Sequence, residues 1–347
     1  MGRPVILERY PYTYLRTIVM KKNLLTRQDY DKIVKMSPGE IAKYLEDFEY
    51  KKEVDELALE YKGIELLERA LVRNLGNKFE KLRRISPHDL RLLISLYLRR
   101  YDMYNIKTIL RGKFGLLSPE EIRKYLSPLA TMGALYFDRL IAQKTTEEVF
   151  GAVDFIEEKE KRAAVDHFRH HSSLALMEGA LDRHYYSHVF SQLRYLTMEG
   201  KLYKRFLLNE VDVQNIKVML RLKSEKVPEQ AIRDVLLPFG TIKKEVLEKM
   251  LKADRSGILK ELEATDFSEI VGKHENAQSL SISDLEMDLD RFLLQRSRRL
   301  IRQHPMSVDV ILGYMFLKDV EVKNLERIAK AKHLGMDESF IERIVVV

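Results

Sequence analysis

Apolar positions recur along this chain at helical rather than strand spacing. Leu66, Leu67, Ala70, Leu71 and Leu75, followed by Phe79 and Leu82, share one face of a 3.6-residue period, and no long run alternates with a period of two. Helix starts are marked in a consistent way. Ser37-Pro38-Gly39-Glu40, Ser86-Pro87-His88-Asp89 and Ser118-Pro119-Glu120-Glu121 each offer an N-cap serine, a proline at the first helical position and an acid three residues on. The hydroxyl and the carboxylate take up otherwise unpaired amides and complement the helix dipole. Thr145 with Glu148 and Ser283 with Glu286 read as capping boxes of the same kind. The pattern predicts an all-α protein whose first helix covers Tyr14–Lys35.

A longer period runs through the same pattern. The segment YDMYNIKTILRGK (Tyr101–Lys113) returns as VDVQNIKVMLRLK (Val211–Lys223), with Asp102/Asp212, Asn105/Asn215, Lys107/Lys217 and Arg111/Arg221 each 110 positions apart. A weaker copy, VEVKNLERIAKAK (Val320–Lys332), carries Glu321 for the aspartate, Asn324 for the asparagine and Glu326 for the lysine. Upstream of each copy lies a helix with Leu67-Glu68, Met177-Glu178 or Leu285-Glu286, and downstream lie Ser118–Met132 and Val227–Ile242. Agreement in order across several segments points to internal repetition. The chain divides into three related units, residues 1–117, 118–227 and 228–347, each with two long helices and two or three short ones. The segment Leu334–Val347 aligns with the short helices that open the second and third units. The first unit lacks that helix, since MGRPVILERYPY precedes its Tyr14–Lys35 helix instead, so residues 334–347 are expected to pack beside the first unit and close a pseudo-threefold ring.

Composition narrows the function. Apolar residues make up 45% of the 347, and glycine and proline are few, so the chain can build a sizeable core and is not a disordered one. The absence of cysteine excludes disulfides and thiolate metal sites and fits a reducing compartment. The apolar runs Leu92–Leu98 and Val310–Leu317 fall far short of the roughly 18–20 residues of a membrane helix. The N-terminus shows no signal-peptide core, so the expected protein is soluble and made in the cytoplasm. A net charge of +7, spread over both signs, reads as solvated helix faces rather than a nucleic-acid surface.

The catalytic repertoire is empty. There is no phosphate loop, no dinucleotide turn and no nucleophile elbow, so no catalytic, cofactor-binding or metal residue is assigned. His167/His171 and His184/His188 are i, i+4 pairs, a spacing that metal sites use, but they fit better as side chains at a half-buried helix surface. Tyr97, Tyr101, Met103 and Tyr104 read as helix packing. The recurrent Asp-x-x-Asn and its counterpart, namely Asp102, Asn105, Asp212, Asn215, Glu321 and Asn324, sits at i, i+3 and reads as structural because it recurs in each unit.

The block RRYDMYNIKTILRGK, its echo NEVDVQNIKVMLRLK and the tail Ile311–Val347 resemble the C subunit of the archaeal-type (A/V-type) rotary ATP synthases, the counterpart of the d subunit of vacuolar ATPases. The resemblance covers essentially the whole chain, with the departures at Glu321 and Glu326. It implies three similar helical-bundle domains forming a funnel about a pseudo-threefold axis, with a central cavity. It further implies a non-catalytic, cofactor-free component of the central stalk, peripheral at the cytoplasmic face of the membrane. Its implied partners are the D and F subunits of the central shaft and the membrane proteolipid ring, without nucleic acid and without a membrane span of its own. Under this reading Arg99, Arg100, Lys107 and Arg111 are the candidate partner-facing basic patch. A free-standing helical-repeat scaffold is the alternative; a basic nucleic-acid binder would need a reading module or dense basic block that the chain does not show, and a helical hydrolase with a hidden carboxylate pair has no positive sign in the sequence.

Overall fold

The computed structural model describes residues 10–193, 198–271, 281–303 and 307–347. Residues 1–9, the larger part of the segment read above for a signal peptide, lie outside the described residues. All regular structure among the described residues is helical. The chain opens with α1 (Pro11–Lys22) and then passes through three short helices, α2 (Arg27–Ile33), α3 (Pro38–Leu45) and α4 (Lys51–Leu57). Two long helices follow, α5 (Gly63–Ile85) and α6 (His88–Phe114), and then a short α7 (Pro119–Lys124). The same order returns with short α8 (Ala134–Ile141), α9 (Thr146–Gly151) and α10 (Glu158–His171), long α11 (Ala175–Leu193) and α12 (Met198–Ser224), and short α13 (Glu229–Val235). It returns again with α14 (Lys244–Lys252), α15 (Arg255–Leu262), α16 (Ser268–Val271), long α17 (Ile282–Gln303) and α18 (Val308–His333), and short α19 (Glu338–Ile344).

Local chemistry explains most boundaries, and four details differ from the sequence expectation. Thr145 caps the Glu148 amide at 3.2 Å, but the Glu148 carboxylate accepts from the Lys144 amide at 2.8 Å, one residue earlier than a capping box requires. The single helix expected over Tyr14–Lys35 is two, because the chain breaks after Lys22 and restarts at Thr26. There the Thr26 amide donates to Asp29 Oδ2 at 2.7 Å and the Asp29 amide donates back to the threonine hydroxyl, a capping box that competes with helix continuation. Ser37 and Ser118 cap α3 and α7 in the expected manner. Ser86 differs: its hydroxyl donates to the Leu82 carbonyl at 2.6 Å, closing the last turn of α5. Ser283 also differs, since α17 already begins at Ile282 and Ser283 lies within its first turn.

The described residues gather into two compact units. One joins the chain up to Ile94 with Ser283–Val347, and its centre is α18. Buried residues from Val308 to Ala331 cover almost the whole circumference of this helix, as expected for one enclosed by neighbours. It packs chiefly on α5, with α1 and α3 against it and α19 at its end. The buried stripe of α5 runs Leu66, Leu67, Ala70, Leu71, Leu75, Phe79 and Leu82, the periodic set read from the sequence. Gly313 permits close approach of α17, since a Cβ there would run into Ile301. The other unit is Ser95–Ile282, in which α11 packs on α10, α12 and α13, and α14 packs on α15.

Candidate functional site

The repeated Asp-x-x-Asn lies in mid-helix, on α6, α12 and α18, and there it works as a clamp on backbone that comes later in the chain. Asn105 Nδ2 donates to the Ser127 carbonyl at 3.0 Å while its Oδ1 accepts from the Ser127 amide at 2.7 Å. Asn215 makes the same two bonds to Leu237, at 3.0 and 2.9 Å. Asn324 makes them to Val346, at 2.7 and 3.0 Å. In each case the partner lies 22 residues on and the asparagine is buried. A carboxamide offers one donor and one acceptor side by side, matching a peptide group as no carboxylate can.

The acidic member holds the entry to a helix. Asp102 accepts from the Thr131 amide at 2.6 Å, the Thr131 hydroxyl at 2.5 Å and the Met132 amide at 2.8 Å, just before α8. Asp212 accepts from the Thr241 amide at 2.7 Å, its hydroxyl at 2.6 Å and the Ile242 amide at 3.2 Å, just before α14. The close approach at Asp212 requires Gly240, whose φ of +122° and lack of a side chain leave room for the carboxylate. Burial pushes both carboxyls above the ordinary aspartate range, against the pull of these hydrogen bonds.

In the third copy the longer Glu321 reaches elsewhere. Its Oε2 accepts from the Leu25 amide at 2.6 Å, just before α2, and its Oε1 accepts from the Tyr50 hydroxyl at 2.6 Å. Lys318, fully buried, donates to the same carboxylate at 2.7 Å and lies 3.9 Å from the centre of the Tyr50 ring. Burial, then Glu321, holds the Tyr50 phenol far above its ordinary range. So the acid again guards the start of a short-helix segment, but one near the chain's beginning. Sequence reasoning missed Lys318 and Tyr50. The i, i+3 spacing of Lys318 and Glu321 was the available signal.

The four cations of the candidate basic patch do not form an unpaired stripe. Arg99 meets His188 Nε2 at 2.7 Å, and burial, then Arg99, lowers the affinity of that imidazole for a proton, which suits an acceptor nitrogen. Arg100 forks onto Glu210 at 2.8 and 3.3 Å and stacks 3.9 Å over the Tyr97 ring. Lys107 pairs with Asp182 at 2.5 Å, and Arg111 makes two 2.7 Å bonds to Glu178. These contacts join α6 to α11 and α12. Arg100 and Glu210 stand 110 positions apart, at equivalent places in two repeats.

The ion pairs show a register. Arg111 on α6 faces Glu178 on α11, so the second long helix of the first repeat meets the first long helix of the second. Within the other unit, Lys330 on α18 faces Glu68 on α5 at 3.8 Å, the equivalent pair of positions for the third repeat against the first. Lys107 and Asp182 have Glu326 and Val72 as their counterparts, both members of the pair having changed together.

The remaining candidates gather no chemistry. His167 and His171 lie with ring centres 4.5 Å apart and His184 and His188 with theirs 6.2 Å apart. No group of three or more metal-ligating side chains occurs among the described residues. A cleft of about 340 Å³ beside α12 is walled by Leu220, Val227, Ile232 and Ile258, and its Lys223 is engaged with the Ala253 carbonyl at 2.5 Å. No helix among the described residues is long and apolar enough to cross a membrane.

A family model described as the ATP synthase (C/AC39) subunit matches residues 16–344. The A-type ATP synthase C subunit of Methanococcoides burtonii is 32% identical over 342 residues, covering 97% of this chain and 94% of the relative. The same protein of Methanosarcina acetivorans is 32% identical, covering 97% and 93%. That of Archaeoglobus fulgidus is 30% identical, covering 97% and 96%.

Proposed function

The chain belongs to the ATP synthase (C/AC39) subunit family, and on that premise we propose that it is the central-stalk coupler of an A-type ATP synthase. It is a non-catalytic subunit of a rotary complex. In the proposed role it seats the D and F subunits of the shaft on the membrane proteolipid ring, at the cytoplasmic face, and passes torque between ion translocation and ATP synthesis or hydrolysis. Its three repeats, residues 1–117, 118–227 and 228–347, are proposed to stand about a pseudo-threefold axis around a cavity that receives the shaft. Residues 334–347 are proposed to pack beside the first repeat.

The observation that carries this reading is the common register of Arg111 with Glu178 and of Lys330 with Glu68. The third repeat meets the first through the positions by which the first meets the second, which is how a closed cycle of repeats is built and an open solenoid is not. A torque coupler has to be stiff, and buried two-point backbone clamps on three long helices supply stiffness. The four cations of α6 enter this picture as seams inside the coupler rather than as its first contact with a partner.

The test is affinity capture of the tagged full chain from a detergent extract of its own cells. Recovery of the shaft together with the proteolipid ring is the expected result. Capture of neither, with the chain folded and monomeric, would overturn the reading in favour of a free-standing scaffold.

A further inference from the structure

The first helix is turned inside out. On α1 the buried side chains are Thr13, Thr17 and Met20, two of the three polar, whereas Tyr12, Leu15 and Val19 are 61%, 59% and 53% exposed. The buried hydroxyls are satisfied: Thr13 donates to the Ile85 carbonyl at 2.9 Å and Thr17 to the Thr13 carbonyl at 2.7 Å. Tyr12, Leu15 and Val19 stand at i, i+3 and i+7, so they form one continuous stripe. A helix that only had to pack on α18 and α5 would place these faces the other way round.

The charges carried by α1 itself are of one sign, and the carboxylate at its end, Glu49, which accepts from Asn23 at 3.1 Å, is already paired with Lys78. The first turn of α1 holds no acid, and its sequence, PYTYLRTIVMKK, holds none further on. Arg16, Lys21 and Lys22 on α1, with Arg298 and Arg302 on α17, make no ion pair among the described residues, whereas Arg99, Arg100, Lys107 and Arg111 of α6 are each engaged. The Arg16 Nε is buried without a hydrogen-bond partner. Lys21 stands close enough to Arg302 for repulsion to add to the burial that lowers its proton affinity. Arg302 acts on Arg298 in the same direction. Cations that crowd one another favour negative charge beside them.

We propose that the outward face of α1, formed by Tyr12, Leu15 and Val19 with the cations beside it, is a docking surface for an anionic lipid interface. An exposed apolar stripe with Lys22 on the same helix face and Arg16 at its flank, and with a tyrosine at its edge, is what a helix lying in the headgroup region presents. The side chains of Leu15 and Val19 enter the boundary between headgroups and acyl chains, the Tyr12 hydroxyl stays at headgroup level, Lys22 meets phosphate oxygens, and Lys21 and Arg302 add positive potential from the side. This inference rests on the reading of the chain as a stalk component seated beside a membrane-embedded ring, and it adds a second contact to that seat, with the lipid itself.

The experiment is co-sedimentation of the full chain with vesicles of phosphatidylcholine alone or mixed with phosphatidylglycerol. Binding to the anionic vesicles only, weakening as salt is added, is the expected result. Both L15S/V19S and K21E/K22E should lower that binding by about tenfold or more with unchanged thermal melting, since Leu15, Val19 and Lys22 are exposed. No binding to either vesicle, or equal binding by wild type and both variants, overturns the proposal. Capture of shaft and ring by the same variants in detergent separates the two readings. If wild type binds no vesicle yet captures the ring, the lipid inference falls and the stalk reading stands. Loss of the ring in L15S/V19S without vesicle binding by wild type would make this face a protein interface instead. Vesicle binding without capture of shaft or ring would leave the lipid surface standing and remove the stalk role.

Discussion

The seam between α6 and α11 and the seam between α18 and α5 occupy equivalent places in the repeat, yet they are made of different chemistry. The first is laced with charge, Arg111 to Glu178 and Lys107 to Asp182. The second keeps the register with one long, largely exposed pair, Lys330 to Glu68, and relies on a helix that is buried almost all round. Exposed ion pairs contribute at most about 1 kcal/mol each, so the register cannot depend on them. It is better explained by what all three repeats share, the asparagine clamp that fixes where the backbone lies 22 residues on. The acids make the same point from the other side. Asp102 and Asp212 reach forward to the next short helices, whereas Glu321, one methylene longer, reaches back across 296 residues to Leu25.

The largest effect should come from the point where the two seams differ most. Glu321→Ala leaves Lys318 charged and buried and removes an acceptor from Tyr50 and Leu25, so it should cost about 3–5 kcal/mol. The pair K318M/E321L should recover much of that loss, because an apolar pair replaces a lone charge. Hydrogen exchange at the Leu25 amide and denaturant unfolding measure both. Equal losses in the single and double variants would mean that the backbone contact, and not the charge, holds the seam.

Next come the clamps, which test whether the three repeats are equivalent. Asn105→Ala, Asn215→Ala and Asn324→Ala each orphan a peptide N–H and a carbonyl, at about 1–3 kcal/mol apiece. Similar losses across the three are expected. A negligible loss at one of them would break the equivalence there.

How far all this could be read beforehand depended on the range of the interaction. The helices, the Ser37 and Ser118 caps and the 110-residue repeat rest on neighbours within a few positions or on self-similarity, so they were visible in the chain. The partners of Asp102 and Glu321 were not, because nothing local distinguishes an acid that reaches 29 residues forward from one that reaches back to the chain's start. The same holds for Lys107 and Arg111. Their i, i+4 spacing puts positive charge on one helix face, and Glu178 and Asp182 carry the matching spacing. That match acquires meaning only once α6 and α11 lie side by side. The outward apolar face of α1 was hidden for a related reason, since periodicity shows that a stripe exists but not which side is covered.

A smaller effect compares the ends of the second long helices. Leu116 and Lys226 adopt left-handed φ values of 57°, and Gly335 stands at the equivalent place with 70°. Each precedes an amide that closes the helix end, Leu117 to Gly112, Val227 to Leu222 and Met336 to Ala331, all at 2.9 Å. A side chain in that conformation is strained where glycine is not. Leu116→Gly and Lys226→Gly should therefore each raise stability by about 0.5–1 kcal/mol, and Gly335→Ala should lower it by about 1 kcal/mol. Thermal melts of the three variants are sufficient to read the signs.

The smallest effect is best read as a slope against pH, where the exposed caps and the buried clamps should oppose each other. The Ser37 amide donates to Glu40 at 2.8 Å and the Ser118 amide to Glu121 at 2.9 Å, and these backbone bonds, then the serine hydroxyls, hold both carboxyls below their ordinary value of 4.5. The folded state therefore binds their protons more weakly than the unfolded chain. Their contribution is fully present above pH 4.5 and is lost as pH falls through the depressed folded values. Asp102 and Asp212 are raised by burial, so the folded state binds their protons more tightly and their contribution grows as pH falls through the raised values. Glu40→Gln with Glu121→Gln keeps a capping side chain but removes its titration. The stability of that double variant should fall less steeply than wild type below pH 4.5, and an unchanged acid slope would show that the caps carry no measurable share of it.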